Sequence, residues 1–216
     1  MKTIIDSILL GVSTFPFFAI ICTLPIFAIV LIRYKALNFV RIGLNYSLLL
    51  YFLCLIALVF FPLPSAEKAA CLSTHDIQLI PFKFVSDIVR ESPFDFRNPA
   101  TYISALLNYA VLQVLFNILM LIPLGMFLRY YFHFSTKKIV MLSFLLSFFI
   151  ELTQLTGIYG IYHGSYRLCD VDDLITNTLG GYLGCQLISS LERFIPSIEK
   201  FDIQLPVFKH NYSKAR

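Results

Sequence analysis

The stretch IVMLSFLLSFFIELTQ, residues 139–154, decides the fold, because a single carboxylate stands inside a long uncharged run. Twelve uncharged residues precede Glu151, and no Asp, Glu, Lys or Arg follows it until Arg167. An apolar helix of about 20 residues crosses the ~30 Å hydrocarbon core of a bilayer. The stretch therefore predicts a membrane helix. Glu151 then needs a partner or a proton, because an ionised group is costly inside a membrane.

The composition extends this interpretation to the whole chain. Of its 216 residues, 58% are hydrophobic and 14% are charged, against about 45–50% and about 25% in soluble domains. The net charge of +4 is scattered and forms no basic stripe, so no nucleic-acid partner is expected. The five cysteines show no spacing typical of metal ligands, and we assign no metal and no cofactor.

Five apolar segments predict an all-α, polytopic membrane bundle with five transmembrane helices. The predicted spans are residues 7–32, 42–64, 101–128, 139–160 and 171–191. Eleven of the 17 Lys and Arg residues follow the first, third or fifth span. Because positive charges collect on the cytoplasmic side, we expect the N-terminus outside and the C-terminus in the cytoplasm.

Two of the predicted helices carry polar stripes that could face each other. The fourth span has polar residues at spacings of 4, 4 and 3, which places them on one helical face: Ser143, Ser147, Glu151 and Gln154. The fifth has a matching stripe at spacings of 3, 4, 4 and 3: Asp170, Asp173, Asn177, Gly181 and Gly184. Glycines at 180 and 184 allow another helix to approach closely, which we expect to bring Asn177 to Glu151.

Two further residues extend this polar site. Asn117 in the third span lies at about the same depth as Glu151. Arg167, in the short loop between the fourth and fifth spans, is the expected cationic partner of Glu151 or of the aspartates. Alternatives remain open, because amides also act as hydrogen-bonding glue between helices. Asp172 and Asp173 could likewise cap the start of their own helix.

The ordered motifs FNILMLIPLG (116–125), SFFIELTQL (147–155) and RLCDVDDLITNTLGGYLG (167–184) resemble the VanZ-like membrane proteins. The upstream IQLIPF adds to the resemblance, which covers residues 77–184. The family's polar positions fall on Asn117, Pro123, Gly125, Glu151, Gln154, Arg167, Asp170, Asp173, Asn177, Thr178 and Gly181.

The resemblance implies a bacterial, multi-pass protein of the cytoplasmic membrane, in a family named for lowered susceptibility to teicoplanin, a lipid-tailed glycopeptide. We expect two N-terminal helices outside the resemblance (residues 1–66). A VanZ-like domain (67–191) and a cytoplasmic tail (192–216) follow.

Three functions fit the predicted site. The first is binding of an amphiphile, namely a membrane lipid, a lipid-linked wall precursor or a lipoglycopeptide. Its ligand residues would be Asn117, Glu151, Gln154, Arg167, Asp170, Asp173 and Asn177. The second is catalysis on lipid head groups, with Glu151 as general acid or base beside Asp173 and Arg167. The third is a buried network that only fixes the helix register.

Overall fold

The computed structural model describes residues 2–72 and 76–205, and these form helices apart from connecting loops and four two-residue strands. The helices are α1 (Lys2–Tyr34), α2 (Phe39–Phe60), α3 (Ala66–Cys71), α4 (Lys83–Glu91), α5 (Thr101–Leu106), α6 (Tyr109–Phe132), α7 (Thr136–Leu155), α8 (Gly157–Gly160) and α9 (Val171–Leu191). The strands are β1 (Ala36–Leu37), β2 (Ile77–Gln78), β3 (Cys169–Asp170) and β4 (Ile203–Gln204), and a 3₁₀ helix spans Ile198–Phe201. The predicted all-helical class is confirmed.

Four helices of the described chain are long and apolar enough to cross a membrane: Ile4–Tyr34, Phe39–Phe60, Tyr109–Phe132 and Thr136–Leu155. Their outward faces are strongly apolar, and Ile20 and Leu24 of α1 are 76% and 80% exposed. Such faces suit lipid rather than water. The chain is therefore a multi-pass membrane protein. Helix α9 matches the fifth predicted span but is less apolar, because it contains Asn177, Gln186 and three glycines.

Two predicted span boundaries are wrong. The third span, predicted as 101–128, is divided after α5, and α6 begins at Tyr109 because the Asn108 side chain accepts a hydrogen bond from the N–H of Ala110. The fourth span, predicted as 139–160, ends at Leu155. Glu151 therefore lies about 6 Å, one helical turn, from the end of its helix.

A left-handed turn explains why α7 stops there. Gly157, Ile158, Tyr159 and Gly160 all have positive φ, between 55° and 89°. Glycine is required at the first position, since a Cβ on Gly157 would lie 2.5 Å from the carbonyl oxygen of Tyr162. The Thr156 hydroxyl accepts a hydrogen bond from the N–H of Tyr159 and holds the turn.

The described chain divides into two compact units. The first contains residues 1–63, 130–132 and 189–216, so far as they are described. Within this unit Arg41 binds the C-terminal segment. It is 2% exposed and forms ion pairs with Glu199 and Asp202 at 3.1 and 3.3 Å. The Arg41 guanidinium also lies 3.8 Å from the centroid of the Tyr34 ring. These contacts hold the C-terminal segment against the first turn of α2, and β4 pairs antiparallel with β1 beside them.

The sequence predicts a cytoplasmic tail at residues 192–216. In the structure, the first part of this segment contains the 3₁₀ helix and β4. Residues 206–216, which include the basic Lys209, Lys214 and Arg216, lie outside the described residues.

The second unit contains residues 64–129 and 133–188, again so far as they are described, and glycines let its helices meet. A Cβ on Gly180 or Gly184 would overlap the carbonyl oxygen of Ile118 or Ile122 respectively, so these glycines bring α9 against α6. Gly181 lies against the Ser143 side chain of α7. We predicted that Gly180 and Gly184 would bring α9 towards Glu151, but the helix they approach is α6.

Gly184→Ala should lower the stability of the protein, because the new methyl group would meet backbone atoms that cannot move separately. Overpacking of this kind costs about 1–3 kcal/mol, and thermal unfolding in detergent measures the loss. Gly43→Ala is the matched control, since nothing lies within 4 Å of its Cβ position. Equal melting temperatures for Gly184→Ala and Gly43→Ala would contradict the proposed close approach.

Candidate functional site

Helices α7 and α9 meet along a polar seam inside the second unit. Ser147 accepts a hydrogen bond from Asn177 Nδ2 at 2.9 Å and donates one to the carbonyl oxygen of Asp173 at 3.4 Å. One turn along α7, Glu151 Oε2 accepts from the N–H of Asp170 at 3.0 Å. The predicted stripes therefore face each other, but in a different register. Asn177 pairs with Ser147 instead of Glu151, because Glu151 lies level with the start of α9.

Glu151 is 3% exposed and is held by two donors. Besides the N–H of Asp170, the Cys169 thiol donates a hydrogen bond to its carboxylate. Burial, followed by the negative charge of Glu151, raises the pKa of the Cys169 thiol to about 11. The sequence analysis gave Cys169 no role in the site. A lone cysteine between a leucine and an aspartate carries no pattern, and only the fold brings it to Glu151.

Asp173 joins α9 to α6. Its carboxylate accepts a hydrogen bond from Asn117 Nδ2 at 2.5 Å, and the Gln113 side chain donates a second one. The structure thus brings together Asn117 and Asp173, which the sequence analysis placed in one site. Sequence analysis gave Gln113 no place in the site. Gln113 lies four residues before Asn117, on the same face of the helix. This spacing could have predicted that Gln113 belongs to the site.

Asp170 and Asp172 hold the long loop that precedes α6. Asp170 Oδ1 accepts from Gln78 Nε2 at 3.0 Å, next to the parallel pairing of β2 with β3. Burial raises the pKa of the Asp170 carboxyl. Asp172 accepts from the N–H groups of Phe82 at 2.6 Å and Phe84 at 2.9 Å. Asp172 therefore caps a helix, but that helix is α4 rather than its own.

A cleft of about 130 Å³ lies where α4 meets the first turns of α6 and α9. Acidic side chains dominate its polar lining, and Lys83 is the cation among them. The lining residues are Lys83, Phe84, Asp87, Ala110, Gln113, Val114, Leu168, Asp170, Asp172, Asp173 and Thr176.

The predicted site therefore separates into a cleft and a buried seam. Of the predicted ligand residues, Asp170 and Asp173 line the cleft. Glu151, Gln154 and Asn177 are buried at 3%, 6% and 2% exposure and lie outside its lining, as does Asn117. Glu151 is not a lining residue of this cleft, because α7 ends one turn beyond it and Cys169 and Asp170 lie over it. Its predicted role as a wall of a polar pocket stays a prediction.

Arg167 lies in the loop that leads into β3, outside the cleft lining. Its predicted ion pair with the carboxylates stays a prediction. In the described ranges 2–72 and 76–205, no three His, Cys, Asp or Glu side chains are arranged to hold a metal ion.

Long apolar helices with a carboxylate-lined cleft at their ends define a multi-pass membrane protein with a polar site. A family model described as VanZ/LLP1 matches residues 48–192, about two thirds of the chain. The chain belongs to the VanZ/LLP1 family. This match begins within α2, upstream of the motifs that we compared at residues 77–184. No curated protein and no solved structure matches the chain significantly.

Cys169 should react slowly with maleimides compared with the exposed Cys71, because the thiol is partly buried and its pKa is about 11. Only the thiolate reacts, so the Cys169 rate should rise about tenfold per pH unit from pH 8 to 10. Glu151→Gln removes the neighbouring negative charge and should speed Cys169 labelling several-fold at pH 8. Peptide mass spectrometry measures each site.

Two controls accompany this experiment. Glu67→Gln alters an exposed acid elsewhere and should leave the Cys169 rate unchanged. Cys185 is 1% exposed and reports global unfolding if it becomes labelled. An unchanged Cys169 rate in folded Glu151→Gln would contradict the contact between these two side chains.

Proposed function

We propose that this VanZ/LLP1 protein binds the polar head of an amphiphile in the cleft beside α4, α6 and α9. The candidates are an envelope lipid, a lipid-linked wall precursor and a lipoglycopeptide. One observation carries the proposal, namely that a cleft rich in carboxylates lies at the first turns of α6, a helix apolar enough to span a bilayer. A ligand there would have its head in the cleft and its tail in lipid.

The size of the cleft supports a ligand that enters only in part. Its volume of about 130 Å³ is smaller than the roughly 300–1,000 Å³ of a pocket that encloses a whole drug-sized molecule. Further along α6, Leu115, Phe116 and Leu119 are 45%, 46% and 48% exposed. They lie on the opposite face of α6 from the cleft-lining Ala110, Gln113 and Val114, and they indicate that lipid contacts α6 just beyond the level of the cleft.

The charges favour a head group that carries an amine or several hydroxyls. Asp87, Asp170, Asp172 and Asp173 line the cleft, opposed there by Lys83. Asp87 also pairs with Arg90 at 3.2 Å, which reduces its share of the negative charge. The hydrogen bonds to Asp170, Asp172 and Asp173 come from N–H groups. Backbone and amide N–H groups hydrogen-bond a carboxylate oxygen without adding a full positive charge. The carboxylates therefore keep their negative charge, which would attract a cationic head group.

The catalytic alternative has less support. A general acid or base must come within hydrogen-bond reach of its substrate, and Glu151 is buried away from the cleft. The structural alternative accounts well for Glu151, Ser147 and Asn177, whose hydrogen bonds lie within the seam. It does not account for Asp173, which is in the network and also lines the cleft.

The five-span arrangement is part of the proposal, and strand pairing supports it. β1 pairs with β4, so both lie on one side of the membrane, because an irregular backbone cannot pair across lipid. An even number of crossings must then separate them. Helices α2, α6 and α7 make three, and α9 supplies the fourth. Labelling of Cys71 by an impermeant maleimide in intact cells tests whether the loop before α6 is outside.

Asp173→Asn should weaken binding of amine-bearing lipids about tenfold, which corresponds to about 1.4 kcal/mol. The substitution removes the charge and keeps the size of the side chain. Native mass spectrometry of the detergent-solubilised protein measures bound phosphatidylethanolamine against phosphatidylglycerol. Glu67→Gln, at an exposed site, should bind like wild type. Equal binding of both lipids, or no effect of Asp173→Asn, would remove the cleft as the head-group site.

We also propose that the lipoglycopeptide ligand class applies to this protein. Expression in a susceptible bacterium should then raise the inhibitory concentration of teicoplanin at least severalfold and that of vancomycin, which lacks the lipid tail, far less. Asp173→Asn expressed at the same level should reduce the difference. Unchanged values for both antibiotics would exclude this ligand class without affecting the lipid proposal.

A further inference from the structure

Helix α4 has one apolar face and one polar face. At about 100° per residue, Phe84, Val85, Ile88 and Val89 fall on one side of the helix. The opposite side carries Lys83, Ser86, Asp87, Arg90 and Glu91. An amphipathic helix of a globular domain normally buries its apolar face. α4 contains no buried residue, and Val85 and Val89 are 49% and 75% exposed.

The segment before α4 continues this exposed apolar surface. Leu79, Ile80 and Phe82 are 72%, 67% and 58% exposed. With Val85 and Val89 they make five exposed large apolar side chains within residues 79–89. We call these five side chains the apolar stripe. A soluble surface rarely tolerates such a concentration without a partner.

The position of the apolar stripe identifies the partner. Phe84 and Asp87 of α4 line the same cleft as Ala110, Gln113 and Val114 of α6. These α6 residues belong to its first turns, where the apolar helix begins at Tyr109. α4 therefore lies at the level where α6 passes from water into lipid. Exposed apolar side chains follow within the next turns of α6, at Leu115 and Leu119 on its opposite face, so α6 enters lipid just beyond the level of α4.

Fixed contacts hold α4 at this level. The Asp172 carboxylate accepts the N–H groups of Phe82 and Phe84, and Phe82 has a left-handed φ of 61° and provides no side-chain cap of its own. The pairing of β2 with β3 ties the preceding residues to the start of α9. Lys83, Phe84 and Asp87 line the cleft. Val85 and Val89 lie on the opposite side of α4 and therefore turn away from the cleft.

We infer that α4 is an interfacial helix whose apolar stripe inserts into the lipid leaflet at the N-terminal end of α6. The apolar stripe would contact lipid at the boundary between head groups and acyl chains. Helices of this kind insert about 5–10 Å into that boundary. On the polar face, Lys83 and Arg90 balance Asp87 and Glu91. The insertion is therefore driven by apolar burial and does not require anionic lipid. This inference stands apart from any ligand in the cleft.

Tryptophan fluorescence tests the inference, because the chain contains no tryptophan. Val89→Trp places the probe on the apolar stripe. Glu91→Trp is the matched control, about 160° away around the same helix and also exposed. Both variants are reconstituted as the full chain into phosphatidylcholine vesicles. Quenching is measured with lipids brominated near the head group or near the chain ends, and with aqueous acrylamide.

Val89→Trp should be quenched at least about twofold more by the shallow bromines than Glu91→Trp is, and more by shallow than by deep bromines. Glu91→Trp should be the better quenched by acrylamide. Adding phosphatidylglycerol should change neither result. Val85→Trp, on the same stripe, replaces Val89→Trp if that variant does not fold.

Three results would overturn the inference. Equal acrylamide quenching of the Val89 and Glu91 probes would show that the stripe faces water. Protection of Val89→Trp from both acrylamide and brominated lipid would show that protein, such as a second copy of the chain, covers the stripe. Insertion that requires anionic lipid would contradict the balanced charge of α4.

Discussion

The close approach of α9 to α6 is the constraint on which the second unit depends. Moving an apolar side chain from lipid into a helix interface gains little free energy, because both environments are apolar. Helix association in a membrane therefore relies on tight packing and hydrogen bonds. Gly180 and Gly184 supply the packing, since neither position leaves room for a methyl group against the backbone of α6. The hydrogen bond between Asn117 and Asp173 then forms about two to three turns nearer the start of α9. Packing between backbones thus sets the geometry of the carboxylates.

The carboxylates lie where a membrane protein can stabilise them. Asp170, Asp172 and Asp173 precede or occupy the first turn of α9, where free N–H groups and the helix dipole favour negative charge. Each also receives an N–H from another part of the chain, at Gln78, Phe82 or Asn117. Glu151 lies one turn from the end of α7, and the chain leading into α9 covers it. The acids therefore collect at the rim of the bundle, away from its centre.

The sequence predicted the class, the helices and the facing stripes, because hydrophobic length and helical spacing are local properties. It placed Asn117 in one site with Asp173, because Asn117 lies at about the same depth as Glu151, and the two side chains are in contact. It failed on the register between Glu151 and Asn177, which depends on where α7 ends. That end is set by four consecutive positive φ values, two of them at Ile158 and Tyr159, where the residue type gives no warning.

Contacts between residues far apart in the chain were also beyond sequence analysis. The backbone groups of Phe82 and Phe84 bind Asp172 across about 90 positions, and no spacing rule relates them. The same holds for Arg41, which meets Glu199 and Asp202. When a side chain accepts a hydrogen bond from a backbone N–H, the donor can belong to almost any residue type. The sequence therefore contains no pattern that identifies the partner. Such partners become visible only when the fold is known.

Asp172 and Asp173 show how one helical step separates two roles. Adjacent residues on a helix point about 100° apart, so Asp172 reaches the start of α4 while Asp173 reaches α6. Both carboxylates line the cleft. The cleft therefore shares one wall with α4, the helix that we place in the lipid interface. A ligand that binds this wall more tightly when α4 is inserted in lipid would favour the inserted position, and insertion would favour that ligand by the same factor, because coupling between two sites is reciprocal.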